Sequence, residues 1–194
     1  EEQRKLDSAT IFRKGLRIYT DAVQLGLYEY NIGAEYAWSP RFTVGANFGI
    51  GHHGSLSYTY DISLNNVFAT RLAMVDGHTG RAFIKYYSRR NPSGYWCFQA
   101  VYKSIWASTL DTYYFPEGYS GFINIHGTVT GQDFIRGYEY WTKNKKFFID
   151  LYFGIGLREQ YSKAFYPATD INYKTNTSVY GTPILDLNFG YKLF

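Results

Sequence analysis

Several features common in other proteins are scarce or absent in this sequence. Cys97 is the only cysteine, which excludes an intramolecular disulfide, and its strand-like surroundings indicate a small packed side chain. No run of about 18 apolar residues occurs, so a transmembrane helix is excluded. The N-terminal stretch EEQRKLDSA has no apolar core. We therefore expect either a cytosolic protein or a mature chain that has lost its signal peptide.

Strong charge is also lacking. The formal net charge is +4, and the basic residues do not cluster in one segment. The aromatic residues occur at strand spacing, so no nucleic-acid partner is predicted. The glycines repeat at every second residue, a spacing typical of packing and unlike a phosphate-binding loop. We accordingly predict no cofactor and no metal.

What the sequence does contain is aromatic side chains in alternation. Aromatic residues make up 21% of the chain, with 21 Tyr, 15 Phe and 4 Trp. The mean hydropathy of −0.32 resembles that of a soluble protein. Closed β-barrels also span membranes, and the alternation of their side chains dilutes their hydropathy.

Alternation of period two predicts eight strands and almost no helix. The predicted strands cover residues 11–22, 27–38, 42–51, 81–89, 95–108, 128–141, 147–160 and 184–194. Short turns follow strands two, four and six, whereas long connections follow strands three, five and seven. Outer-membrane barrels have short periplasmic turns and longer extracellular loops.

This arrangement predicts an all-β fold, an eight-stranded antiparallel transmembrane up-and-down β-barrel with both termini in the periplasm. Residues 1–10 form an N-terminal periplasmic extension, and residues 11–194 form the barrel. Its long extracellular loops are predicted at about 52–80, 109–127 and 161–183.

The glycines indicate which face of the sheet is the interior. A soluble sandwich would leave Gly33, Gly45 and Gly154 on its solvent face, where glycine only weakens a strand. In a narrow barrel, small inner residues make room for long charged neighbours. The charges on the glycine face are nearly balanced, as a low-dielectric interior requires. The predicted lumen network consists of Arg17, Asp21, Glu29, Glu35, Lys103, Asp133, Glu139, Asp150, Arg158, Asp186 and Lys192.

Strand four leaves its orientation open. Phe83 and Tyr87 share a face with Arg81 and Lys85, so either face could be the inner one. Lys85 is a further candidate for the lumen network.

The tryptophans predict an interface girdle. Trp38, Trp96 and Trp141 lie beside the short turns and therefore at one rim, and Trp106 lies at the other end of strand five. Tryptophan and tyrosine collect at membrane interfaces, whereas a sandwich core would bury tryptophan in mid-strand.

Two features fit the barrel less directly and suggest partner contacts. Arg136 is in phase with Phe134 and Tyr138 and would face lipid, so either strand six is bulged there or Arg136 meets a partner protein. A charge at the bilayer midplane costs about 2–4 kcal/mol. The stretch YYFPEGYSGF either folds over the barrel mouth or docks on a neighbour, through Tyr113, Tyr114, Phe115 and Tyr119.

The segments YNIGAEYAWSPRFTVGANFGIG, FIKYYSRRNPSGYWCFQAVYKSIW, GYEYWTKNKKFFIDLYFGIGLR and LDLNFGYKLF resemble the OmpA/OmpX-type eight-stranded outer-membrane barrels. They resemble still more closely a family of small, uncharacterised outer-membrane barrels of the Bacteroidota type. Together they cover about half of the chain and match strands and turns. The resemblance implies a barrel in the bacterial outer membrane and no settled activity. It also implies a C-terminal aromatic insertion signal, from which Phe194 departs because it lies one step out of phase with Phe189 and Tyr191.

Three functions follow from this interpretation. The first is a non-enzymatic barrel that serves as a structural or accessory subunit of a larger envelope complex for transport, secretion or assembly. Its partners would be outer-membrane lipid, lipopolysaccharide and other outer-membrane or periplasmic proteins. The alternative is a lipid A-modifying, deacylase-like enzyme that uses His53 and Ser55 of the HHGS stretch. A small-solute channel ranks third, because eight strands leave room for little beyond side chains.

Overall fold

The structure, a computed structural model, describes residues 14–26, 29–51, 72–88, 91, 93–111, 121–165 and 172–194. The described part of the chain is all-β, as predicted, with eight strands and one short helix. In chain order these are β1 (Gly15–Asp21), α1 (Ala22–Gly26), β2 (Glu29–Ala37), β3 (Phe42–Gly51), β4 (Leu72–Tyr87), β5 (Gly94–Asp111), β6 (Gly121–Trp141), β7 (Phe147–Phe165) and β8 (Asn172–Lys192). In the described residues no helix is long and apolar enough to cross a membrane.

The eight strands form one antiparallel sheet in which β1 also pairs with β8, so the sheet closes on itself as a barrel. This single closed sheet replaces the soluble two-sheet sandwich considered from the sequence. When the cross-strand partners of Arg17 are followed from β1 through β2 to β7, the row ends at Thr182 on β8. On its other side, Arg17 pairs directly with Lys192 of β8, which is ten residues further along that strand. This stagger tilts the strands against the barrel axis, typically by about 35–45°.

Strands β4 to β8 are longer than predicted at the end that carries the long connections. β4 begins at Leu72 and β8 at Asn172, whereas the alternation predicted residues 81 and 184. Of the predicted long connections, residues 52–71, 112–120 and 166–171 lie outside the described part of the chain. The parts of β4–β8 beyond the last β3 pair, Gly51 with Gly77, are called the upper extension.

Side chains alternate strictly between the two faces of the sheet, and the buried face is the polar one. Along β2, Glu29 and Glu35 are buried at 0% and 1% exposure, whereas the intervening Ile32 is 66% exposed. β7 shows the same pattern, with Asp150 buried and Ile155 71% exposed. This distribution is the reverse of a soluble core.

The interior glycines support aromatic rings. Tyr19, Phe83, Tyr95 and Phe148 each pair directly across strands with a glycine, and a Cβ on that glycine would overlap the ring. The glycines are Gly33, Gly45, Gly137 and Gly190. These rings pack with Tyr87, Cys97, Ile135 and Tyr152 into one buried cluster inside the sheet. The orientation of strand four is thereby settled, since Phe83 and Tyr87 point inward together with Arg81 and Lys85.

Short turns close the opposite end of the sheet. The Ser39 hydroxyl accepts hydrogen bonds from the backbone N–H groups of Arg41 and Phe42 between β2 and β3. In the turn between β6 and β7, Lys145 has a left-handed φ of 58° and the Thr142 hydroxyl accepts from the Phe147 N–H. The sequence predicted both turns.

The glycine–ring pairs give a direct test of the fold. Gly137→Ala should lower the free energy of unfolding by about 1–3 kcal/mol, because the added Cβ displaces the Tyr95 ring. Gly80→Ala is the matched control, since a Cβ there meets nothing within 4 Å. Urea unfolding of both variants measures the difference, and equal stabilities would contradict this packing.

Candidate functional site

The most distinctive feature of the interior is a group of ion pairs near the short-turn end, here called the lower cluster. Arg17 Nε lies 2.9 Å from Glu35 Oε1, and Arg17 Nη1 lies 3.0 Å from Glu139 Oε2. Lys85 Nζ lies 2.9 Å from Glu35 Oε2 and 2.7 Å from Asp150 Oδ2. These five residues come from β1, β2, β4, β6 and β7, so the cluster joins strands from all around the sheet.

Inner tyrosines add hydrogen bonds to the lower cluster. The Tyr95 hydroxyl donates to Asp150 Oδ1 at 2.6 Å, and the Tyr87 hydroxyl donates to Glu139. Arg17 also donates to the Thr43 hydroxyl at 3.3 Å. Buried charges are costly unless they are paired, and each of these charges has an opposite charge within about 3 Å. Glu35 and the Nε of Arg17 are held by ion pairs without hydrogen-bond geometry.

A second group, the upper cluster, lies toward the long-connection end and is more loosely arranged. The Arg81 guanidinium faces three carboxylates, those of Asp21 and Glu29 at 3.6 Å and that of Asp186 at 3.8 Å. The Tyr152 hydroxyl donates to Asp186 Oδ2 at 2.9 Å. One guanidinium thus faces carboxylates from three strands, and within the described part of the chain the Asp21 Oδ2 and Glu29 oxygens are without hydrogen bonds.

A third ion pair joins β6 and β7, where Arg158 contacts Asp133 and the Gln99 amide donates to the same carboxylate at 2.8 Å. Lys103 is buried on the inner face. Lys192, near the end of β8, is half-buried and in phase with the inward Asp186 and Asn188. The structure therefore places all eleven residues of the predicted lumen network on the inner face. Lys85, the further candidate for the network, also lies on the inner face, and the structure adds Arg81. The position of Arg81 could have been inferred from the outward alternation of Ala82, Ile84 and Tyr86.

Little space remains between the two clusters. A cavity of about 10 Å³ lies among the inner rings, bounded by Tyr19, Phe83, Tyr95 and Tyr152. That volume holds about one water molecule. At this level the interior is filled by side chains.

Three of the four tryptophans of the predicted girdle lie on the outer face, and the fourth points inward. Trp38, Trp96 and Trp106 point outward and are 44%, 44% and 46% exposed. Trp141 turns inward, because it is in phase with Glu139. Its ring packs on Phe148 with centroids 4.9 Å apart, and its Nε1 donates to Glu139 at 3.3 Å. Trp141 caps the lower cluster and does not belong to the outer surface.

Arg136 lies on the outer face, as its phase predicted, and the register of β6 is unbroken on both sides, so no bulge turns it inward. Its guanidinium lies over the Trp96 ring at 4.9 Å and the Tyr138 ring at 5.2 Å. Its Nη2 would lie 2.8 Å from a Cβ on Gly94, beside the short turn. The side chain thus runs over aromatic rings toward the rim, which is the usual course of arginine on an apolar surface.

Other predicted residues lie outside the described part of the chain. These are His53 and Ser55 of the enzyme alternative and the loop aromatics Tyr113, Tyr114, Phe115 and Tyr119. Among the described residues, no group of three or more His, Cys, Asp or Glu side chains is arranged to hold a metal ion. One contact that the sequence did not suggest is on the outer face, where Ser104 Oγ lies 3.2 Å from His126 Nε2.

Comparison of the chain with protein-family models, curated proteins and solved structures finds no match. The geometry of the molecule is therefore the basis for the function proposed below.

The lower cluster predicts a specific stability pattern. Lys85→Met should cost about 3–5 kcal/mol of unfolding free energy, because Asp150 loses the ammonium group 2.7 Å away and three neighbouring carboxylates then share the single charge of Arg17. Lys143→Met, in an exposed turn, should change it by less than about 0.5 kcal/mol.

Adding Asp150→Asn to Lys85→Met should recover part of the loss, because it removes one of the repelling charges. Urea unfolding measures all three proteins. A Lys85→Met protein as stable as the Lys143→Met control would show that the cluster does not stabilise the fold.

Proposed function

We propose that the protein is an integral outer-membrane β-barrel that serves as a structural or accessory subunit of a larger cell-envelope complex. The observation that carries the proposal is the reversed distribution of its side chains, with paired charges inside the closed sheet and large apolar side chains outside.

The apolar belt continues around the whole sheet. Each of the eight strands contributes at least one large apolar side chain that is between 37% and 71% exposed. Examples in strand order are Ile18, Ile32, Phe48, Ile84, Phe98, Phe134, Phe153 and Leu185. Soluble proteins rarely expose apolar patches beyond a few hundred Å². A protein partner covers one side of a barrel, whereas a bilayer covers every side, so a continuous belt favours lipid.

The two ends of the sheet support an orientation across the membrane. The short turns carry an outward ring of aromatic residues that includes Trp38, Trp96 and Tyr140. Toward the upper extension the outward residues of β6 are polar from Gln132 through Thr130 to Thr128, which suits a position near the lipid headgroups. We accordingly propose that both termini and the short turns are periplasmic and that the upper extension lies outside the cell.

The filled interior favours a structural or accessory role over transport through the lumen. Ion pairs and rings from seven strands meet inside, and the cavity between them holds about one water molecule. Arg136, a charge on the apolar belt, is the described residue that we propose as a contact for a protein partner.

Membrane insertion is tested by tryptophan quenching with brominated lipids. Two variants, each with a single tryptophan, would be folded into phosphatidylcholine vesicles, one retaining Trp96 and the other Trp141. Trp96 should be quenched strongly by bromines near the headgroup end of the acyl chains, because it points outward. Trp141 lies at the same rim but points inward, so its quenching should be weak. If no brominated lipid quenches Trp96, the membrane proposal is wrong.

The subunit role is tested by purifying a tagged chain from its own membrane in mild detergent. We expect another envelope protein to co-purify at a fixed ratio, and Arg136→Ala to reduce that ratio relative to the control Tyr140→Ala. A chain that purifies alone at its native level would exclude the subunit role, while leaving the membrane barrel to the quenching experiment.

A further inference from the structure

The outer face of the upper extension carries a cavity that the proposed role does not use. Asp76, Trp106 and His126 are cross-strand neighbours on β4, β5 and β6, in the first row beyond the end of β3. Ser108 and Asn124 pair two rows further on, on the same face. Together with Ala107 and Ile125 of the row between, these residues line an open concavity of about 460 Å³, here called the Trp106 cavity. Its volume lies in the range of small-molecule sites.

The aromatic wall of the Trp106 cavity is held in place. The indole stands between two imidazoles, with the centroid of His78 at 5.4 Å and that of His126 at 5.2 Å, the latter nearly parallel at 17°. His126 is fixed in turn by its contact with the Ser104 hydroxyl. Trp106 is nevertheless 46% exposed, so a positioned apolar surface faces the cavity. A wall that is already ordered loses little entropy when a ligand binds.

The remaining wall supplies mixed hydrogen-bonding groups. The Ser108 hydroxyl donates to Asn124 Oδ1 at 2.9 Å, so the Asn124 amide nitrogen is the group that can donate to a ligand. The Asp76 carboxylate contributes acceptors. Hydrogen-bond donors and acceptors beside an aromatic ring match a saccharide. Its hydroxyl groups both donate and accept hydrogen bonds, and its C–H faces are apolar. The carboxylate disfavours a phosphate or another anion.

We propose that the Trp106 cavity binds a saccharide ring. In the membrane, this ring belongs to the headgroup of a glycolipid in the outer leaflet. The glycolipid source rests on the proposed function, because the cavity lies just beyond the apolar belt, at the level of lipid headgroups. Recognition of the ring itself rests only on the cavity. The part of Trp106 that stays exposed between His78 and His126 contacts C–H groups of the sugar, and Asp76 and Asn124 bind its hydroxyl groups.

The test uses the folded full-length chain in detergent micelles and two probes. One is the lipid-free oligosaccharide released from lipopolysaccharide by mild acid, and the other is intact lipopolysaccharide. Calorimetric titration measures binding of each. Trp106→Ala should weaken binding of both by at least about tenfold, or about 1.4 kcal/mol. Trp96→Ala is the matched control, because it removes an equally exposed indole from the opposite end of the same strand.

A second variant separates sugar recognition from lipid contact. Asn124→Leu preserves size and should weaken binding of the free oligosaccharide as well as of the intact lipid. If only the intact lipid binds, and Asn124→Leu binds it like the unchanged chain, the contact is with acyl chains and the proposal is overturned. Absence of binding by either probe also overturns it. Tryptophan quenching decides membrane insertion independently of these outcomes.

Discussion

The structure depends on the pairing of Lys85 and Arg17 with the carboxylates of Glu35, Glu139 and Asp150 inside a closed sheet. The distances of 2.7–3.0 Å for the tighter of these pairs require five strands to be in register at once. A shift of one residue along any strand would move its charge to the outer face. The pairing therefore requires closure and the full set of strands, and it opposes any alternative register of the barrel.

The aromatic rings on the glycines make this pairing effective. Tyr95 lies over Gly137 while its hydroxyl donates to Asp150, so one side chain both excludes water and binds the cluster. Trp141 closes the same cluster at the short-turn end. In an interior of low dielectric, hydrogen bonds of this kind strengthen, and any unpaired group becomes costly. The filled lumen and the charge pairing are thus one arrangement, and both favour a rigid barrel over a channel.

The outer surface follows a different constraint, because its residues need only match their surroundings. Around the lower part of the sheet they are aliphatic and aromatic, and Arg136 lies along the rings of Trp96 and Tyr138. In the upper extension they become threonine, histidine and asparagine, with Trp106 held between two imidazoles. This change from apolar to polar along the same strands is the basis for both the membrane proposal and the saccharide proposal.

Alternation determined the strand number and grouped the residues of each strand by face, because side chains on a strand point to opposite faces with a fixed period of two. The glycines and the balance of charges then indicated the inner face, and strand four alone was left open. Alternation also predicted the outward positions of Trp38 and Trp96 for the same reason. Only the tertiary structure decided which charges pair, since partners such as Arg17 and Glu139 are 122 residues apart and meet through the stagger of the closed sheet. It also decided that β4–β8 extend beyond β3 and that Trp106 meets His78 and His126. These contacts depend on the register between neighbouring strands, and the sequence of one strand does not specify that register.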